Sequence, residues 1–340
     1  MKYRISRLDA LAAILAMACV NCAIDDADLP LVATGADSAL DEPGENSEEI
    51  FVNPDRRVVS TVVDGSPITV ASWGEDTDAS GQVHIRIYEC EAYAQHPVVH
   101  CGVDADEVLV GGGAWADYGA GPGALLTASY PESNDLETWV GKSKDHESVN
   151  PHTLHVYAIG MRLTGVSRST LKSHLILKAS TSGSGSHPSH TVSLPAGYQV
   201  IGGGARVNWS GSGNLLTESY PYNGTTWKVK SKDHLVSSPA TITAYVIGVT
   251  TGNIPGFGSL RTQVRNASTY AAGYEGTVTK NPTSGWATTC AAGRASWSGA
   301  GRMLTKMMPT TTDSIEVSSK DHAFVSSGTT WAYAIEVQKQ

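Results

Sequence analysis

The tetrapeptide Ser-Lys-Asp-His begins at Ser143, Ser231 and Ser319, two intervals of 88 residues in a chain of 340. Similarity at a fixed period restricts a chain to stacked, chained or ring-closed copies of one supersecondary unit. The period extends well beyond four residues. Tyr157, Tyr245 and Tyr333 keep it within "HVYAIGM", "TAYVIGV" and "WAYAIEV", and so do Trp209 with Trp297 and Pro221 with Pro309. The chain therefore holds three copies of one unit, over residues 58–165 (including an N-terminal extension), 166–253 and 254–340. The third copy departs most. Where the second reads "IGGGARVNW" it has "TCAAGRASW", and Ile315 stands at the place of Trp227. A site carried by every copy would be lost first from this one.

Period-two patterning and an abundance of Thr, Val, Ile and Tyr predict strands, and no apolar 3.6-residue periodicity runs long enough for a substantial helix. In the second copy the strands are "HLILKAS", "HTVSLP", "YQVIGGGARVN", "NLLTESYP", "TWKVKSK" and "ATITAYVIGV". The fold class is all-β: three antiparallel units of about 88 residues, each a small β-sandwich, arranged in tandem or packed about a pseudo-threefold axis. Gly111 to Gly113 and Gly202 to Gly204 fall inside a strand, where such a run marks a bulge, a bend or a close backbone approach. No helix follows them and no P-loop Lys-Ser/Thr closes them, so a phosphate cradle is not indicated.

The leader "MKYRISRLDALAAILAMACVNC", residues 1–22, has basic residues before a short apolar run and reads as an export signal, with Cys19 or Cys22 as a candidate lipid attachment point. Residues 23–57 form an acidic tether: nine acids and no Lys or Arg lie between Asp25 and Ile50. The leader carries +2 and this acidic stretch −9, so residues 51–340 supply only −2 of the net −9. A nearly neutral folded part does not call for nucleic acid as a partner. Export to an oxidising compartment predicts a disulfide between Cys90 and Cys101, which bracket a loop between two strand-like runs, and leaves Cys290 over.

Alternation along "WKVKSKDH" puts Trp227, Val229, Ser231 and Asp233 on the core side of their strand, and Lys232 with His234 on the outer side. The same holds for Asp145 against Lys144 and His146, and for Asp321 against Lys320 and His322. An aspartate at a strand end can simply accept the amides of the following turn, with the preceding serine completing a small polar cluster. Alternatively, Asp, Lys and His supply the donors and acceptors that orient sugar hydroxyls. An aromatic face for the apolar side of a sugar ring is available in Tyr118, Trp209 and Trp297, which occupy equivalent places in "ADYGAGPG", "NWSGSG" and "SWSGAG". Those rings could equally plug the end of a sheet.

The order "QVIGGGARV", "NLLTESYP", "TWKVKSKDHLVSSPATITAYVIGV" resembles the strand order of H-type lectin domains over roughly 60 of the 88 residues in each unit. The resemblance implies a six-stranded antiparallel sandwich per unit, threefold association, and binding of galactose-type or N-acetylgalactosamine-type sugars beside the Ser-Lys-Asp-His turn. The tryptophan usual near the sugar in that family is replaced by Lys144, Lys232 and Lys320.

Threefold closure could also bring His146, His234 and His322 to one axis as metal ligands. No Cys/His set has zinc-finger spacing, no nucleophile elbow or H-E-x-x-H motif is present, and no cofactor is indicated. Three copies of a single site suit multivalent binding better than catalysis. The sequence thus leads to an exported, noncatalytic, lectin-like protein, secreted or held at the cell surface by an N-terminal lipid, with glycans or glycosylated surfaces as partners. A structural or adhesive surface protein is the alternative, and a hydrolase acting on a polymer comes third.

Overall fold

Each of the six strands read from the second copy forms, and its counterparts form in the other two. The computed structural model describes residues 69–340 except Ala120 and Pro122, and it is nearly all β. The leader, the tether and the candidate lipid-bearing cysteines lie outside the described residues.

Unit 1 comprises β1 (Thr69–Thr77), β2 (Val83–Ala94), β3 (Val98–Gly102), β4 (Val108–Asp117), β5 (Ala124–Pro131), β6 (Thr138–Asp145) and β7 (His152–Leu163). Unit 2 opens with a short helix, α1 (Arg168–Ser173), capped where the Thr170 amide donates to the Ser167 hydroxyl. It continues as β8 (Leu175–Thr181), β9 (Ser189–Ser193), β10 (Tyr198–Asn208), β11 (Asn214–Asn223), β12 (Thr226–Asp233) and β13 (Thr241–Thr250). Unit 3 is β14 (Leu260–Ala271), β15 (Glu275–Lys280), β16 (Ala287–Ala295), β17 (Met303–Pro309), β18 (Ile315–Lys320) and β19 (Gly328–Lys339).

These strands make three antiparallel sheets, and every sheet is shared by two units. Sheet I runs β1-β2-β7-β4-β17-β18-β15, sheet II β3-β6-β5-β10-β13-β8, and sheet III β14-β19-β16-β11-β12-β9. Half of each unit joins the following unit's half and its other half joins the preceding one, so the ring closes. The joins are narrow and equivalent: Ala205 pairs with Ser129, Ser219 with Gly293, and Met307 with Ala114. The end of β1 ties the first unit to the third, because Asp76 accepts the Thr288 amide at 2.9 Å and Asp78, just beyond the strand, accepts the Lys339 amide at 2.9 Å.

Within a unit the two halves face each other as a sandwich. The alternation is clean on β2, where Val83, Ile85 and Ile87 are buried and His84 and Arg86 are not. Cys90 on β2 and Cys101 on β3 form the expected disulfide across that sandwich, with 5.5 Å between their Cα atoms. Pairing slips by one residue at Leu109/Gly111 and Val200/Gly202, which is the bulge that the glycine runs predict, and unit 3 keeps the same slip at Thr288/Cys290 without a glycine run.

The middle glycine of each run admits the core tryptophan of its own unit. A Cβ on Gly112 would stand 2.4 Å from the Trp139 ring, and one on Gly203 2.5 Å from the Trp227 ring. Each indole N–H donates to a serine, Trp139 to Ser129 at 2.9 Å and Trp227 to Ser219 at 3.1 Å. In unit 3 all three positions change together: Ile315, Met307 and Ala291 replace Trp, Ser and Gly, and all are buried. A smaller side chain leaves room for a methyl, and without an indole donor no acceptor is required. We expect Gly203→Ala to destabilise the protein by about 1–3 kcal/mol through overpacking. In urea unfolding, the double variant Gly203→Ala/Trp227→Ile should lose clearly less than the sum of the two single losses; strict additivity would show that the pair is uncoupled.

Candidate functional site

The loops β2–β3, β4–β5 and β6–β7 of unit 1, β8–β9, β10–β11 and β12–β13 of unit 2, and β14–β15, β16–β17 and β18–β19 of unit 3 all emerge at the same end of the ring. There the Ser-Lys-Asp-His turn of one unit meets the aromatic loop of the next. Lys144 Nζ lies 4.4 Å from the centre of the Trp209 ring, Lys232 Nζ 4.2 Å from Trp297, and Lys320 Nζ 3.9 Å from Tyr118. Each junction therefore draws residues from two units.

The aspartates bridge the turn that follows them. Asp145 accepts the Asn150 amide at 3.0 Å, Asp233 the Ser238 amide at 3.2 Å, and Asp321 the Ser326 amide at 2.6 Å. The serines make separate contacts: Ser143 with His152 at 2.7 Å and Ser319 with Thr330 at 2.6 Å.

The lysines and histidines do not face outward, contrary to the alternation argument. Lys144, Lys232, Lys320, His146, His234 and His322 are all buried. The outer side of each strand end is covered by the neighbouring unit's loop, which one strand's own pattern does not disclose. Lys144 donates to the Ser212 carbonyl and Lys232 to the Ala300 carbonyl. Burial pushes the Lys232 and Lys320 ammonium groups down to about 8. These lysines brace the aromatic loops.

His146, His234 and His322 do meet on the axis, with ring centres 5.3 Å apart in every pair. Their nitrogens turn to backbone carbonyls instead of to a common point. His146 Nε2 is 2.7 Å from the His234 carbonyl, His234 Nε2 is 2.9 Å from that of His322, and His322 reaches that of His146. The set closes one end of the axis as a ring of hydrogen bonds.

Two histidines that the sequence reading did not single out stand at the junctions. In the loops "QHP" and "SHP", His96 Nε2 lies 2.7 Å from Asp145 Oδ1 and His187 Nε2 lies 3.1 Å from Asp233 Oδ1. Gln95 adds a 2.8 Å hydrogen bond to Asp145. Both histidines also meet the loop tryptophan edge-on, His96 with Trp209 at 6.1 Å and His187 with Trp297 at 5.2 Å. Their side chains are 46% and 54% exposed, so they are the solvent-facing members of each group. The signal was present in the sequence: the two His-Pro pairs stand 91 residues apart, as Tyr118 and Trp209 do.

Burial raises the Asp145 carboxyl, but hydrogen bonds from His96, the Asn150 amide and Gln95 outweigh it and hold the group below the usual carboxylate range. The junction between units 3 and 1 is built differently. Glu275 and Gly276 replace the His-Pro pair, Tyr118 donates to Glu275, and Asp321 is fully buried beside Arg302, whose Nε is 3.9 Å away. Burial raises the Asp321 carboxyl.

Among the described residues, Glu89, Glu91 and His155 on the face of sheet I bring their ligand atoms within 4.8 Å of one another. His155 already pairs with both glutamates, at 3.0 and 3.1 Å. The sequence matches no known family model and no characterised protein.

The axial ring makes a pH prediction. Burial, with repulsion from His146, His234 and Lys320, holds the His322 imidazole down to about 4 from 6.5. Between those values the unfolded chain binds a proton that the folded chain refuses, so this contribution is complete above pH 6.5 and lost as pH falls toward 4. Glu107 and Asp313, raised by burial to about 7 and about 6, act in the opposite sense, so the informative quantity is a difference. Urea midpoints measured across this window should fall more steeply for the native protein than for His322→Gln; parallel curves would remove the ring as the cause.

Proposed function

We propose that the protein is a noncatalytic carbohydrate-binding protein with working sites at two of its three junctions, one built on His96, Asp145 and Trp209 and the other on His187, Asp233 and Trp297. The observation that carries this reading is the half-exposed histidine held by an aspartate against the edge of a tryptophan, repeated at two junctions and absent from the third. A carboxylate has about four lone-pair positions. After the contacts described above two lone pairs are uncommitted on Asp233 and one on the mostly buried Asp145, and a hydroxyl approaching past the histidine would be accepted there. The histidine adds a donor or an acceptor, and the half-buried indole offers a face to the C–H side of a pyranose. Lys144 and Lys232 serve by fixing that indole. Tyr118, Lys320, Asp321 and His322 belong to the junction whose aspartate is sealed.

Two weak sites on one rigid end would gain by multivalent attachment to a glycosylated surface, and export as read from the leader would bring the protein to one. A glycan array followed by calorimetry on the best ligand tests the proposal. The pair His96→Ala/His187→Ala, and separately Trp209→Ala/Trp297→Ala, should weaken binding by roughly 10-fold to 100-fold, the loss of one or two charge-assisted or stacking contacts. Asp321→Asn should leave it unchanged. If the folded native protein retains no glycan, the adhesive or structural alternative replaces this one.

A further inference from the structure

Among the described residues nine large apolar side chains are exposed, and five of them sit in three equivalent turns at the site-bearing end of the ring. These are Val149, Leu235, Val236, Phe324 and Val325, with exposures of 74, 51, 44, 58 and 65%. Each turn is a three-residue loop closed from residue i to i+2: the Ser148 amide donates to the His146 carbonyl at 2.7 Å, Val236 to His234 at 2.7 Å, and Phe324 to His322 at 2.8 Å. The central residues Glu147, Leu235 and Ala323 have φ of 58, 62 and 64°. A side chain in that left-handed region is strained, most of all a leucine, and exposure to water does nothing to offset the strain. The histidine ring binds the bases of the three turns to one another, so their tips form one raised patch on the axis.

We propose that this tip is a membrane-docking surface, and that its partner is the interface of an electrically neutral lipid bilayer. The charge pattern is the first argument. Residues 147–151, 235–240 and 323–328 contain a single charged side chain, Glu147, and the loops 209–213 and 297–301 beside them contain none. The tip therefore has little charge to desolvate and no cation to attract anionic lipid. Size is the second. Five partly exposed side chains make a patch of a few hundred Å², short of the ~800 Å² that each partner gives to a stable protein interface, whereas a bilayer surface requires no complementary partner shape. Third, Tyr93 and Tyr270 project at this same end, 61 and 67% exposed near the ends of β2 and β14, as aromatic side chains do at a membrane–water boundary. No helix among the described residues is long and apolar enough to cross a membrane, so docking would be superficial.

The test is sedimentation of the full chain with phosphatidylcholine vesicles that carry no glycan, at low and high salt. Binding at both salts is expected, with a loss of at least tenfold in the variant Leu235→Ser/Val236→Ser/Phe324→Ser/Val325→Ser. Should that variant fail to fold, Phe324→Trp provides a second reading: its fluorescence should shift to the blue and be quenched by bromine-labelled lipid. The proposal is overturned if the native protein stays in the supernatant, if it binds only anionic vesicles and releases in salt, or if the serine variant binds equally well. It is also overturned if the tip instead drives a concentration-dependent dimer in analytical ultracentrifugation, for then its partner is a second copy of the chain.

Discussion

Everything in this molecule depends on how closely three strands approach one another at the axis. A Cβ on Gly111 would stand 2.1 Å from the Thr289 carbonyl oxygen, and one on Gly202 2.0 Å from that of Val110. The third unit places Cys290 at the equivalent position, fully buried, with its Sγ 3.8 and 3.6 Å from the Gly112 and Gly203 carbonyls. Two glycines and one thiol thus fill a space that three larger side chains could not share. Because β4, β10 and β16 meet there, each can hand its sheet on to the following strand of a different unit. Burial raises the Cys290 thiol to about 11, which keeps it a neutral packing group with no route to a partner chain.

Sharing sheets also changes what a repeat is. A unit alone would leave the inner edge strand of each of its halves unpaired (β4 and β5, β10 and β11, β16 and β17), and exposed edges are templates for unintended pairing. Each of these strands is instead paired with a strand of another unit, so no unit's sheets are complete without its neighbours. The coordinated change from Trp, Ser and Gly to Ile, Met and Ala in unit 3 fits that arrangement. Each sandwich core must stay filled, because its walls are also the walls of its neighbours.

The strands, the bulges at the glycine runs and the Cys90–Cys101 bridge were legible because they follow from local patterning and spacing. The threefold relation was legible from the 88-residue interval. What alternation could not tell was which side of a strand end meets water: for Lys232 and His234 the answer lies in a loop 66 to 68 residues further along the chain. His96 and His187 escaped notice for a related reason. Insertions in the first copy shift their interval to 91, and neither belongs to the repeated tetrapeptide that drew attention to Asp145 and Asp233.

The three junctions show how a repeated scaffold separates obligations. The lysine over an aromatic ring and the aspartate accepting the amide five residues on are kept at all three, and both hold loops in place. The half-exposed histidine and the tryptophan are kept at two. At the third, Asp321 is buried beside Arg302 with its amide donating to the Tyr274 carbonyl, and a tyrosine tied to Glu275 takes the tryptophan's place. Had the aspartate served only its turn, nothing would require an exposed histidine beside it at the other two junctions. Had it served only a ligand, its turn bond would not survive where the pocket is filled. On the proposed reading the residue does both jobs, and the third junction separates them by keeping only the turn bond.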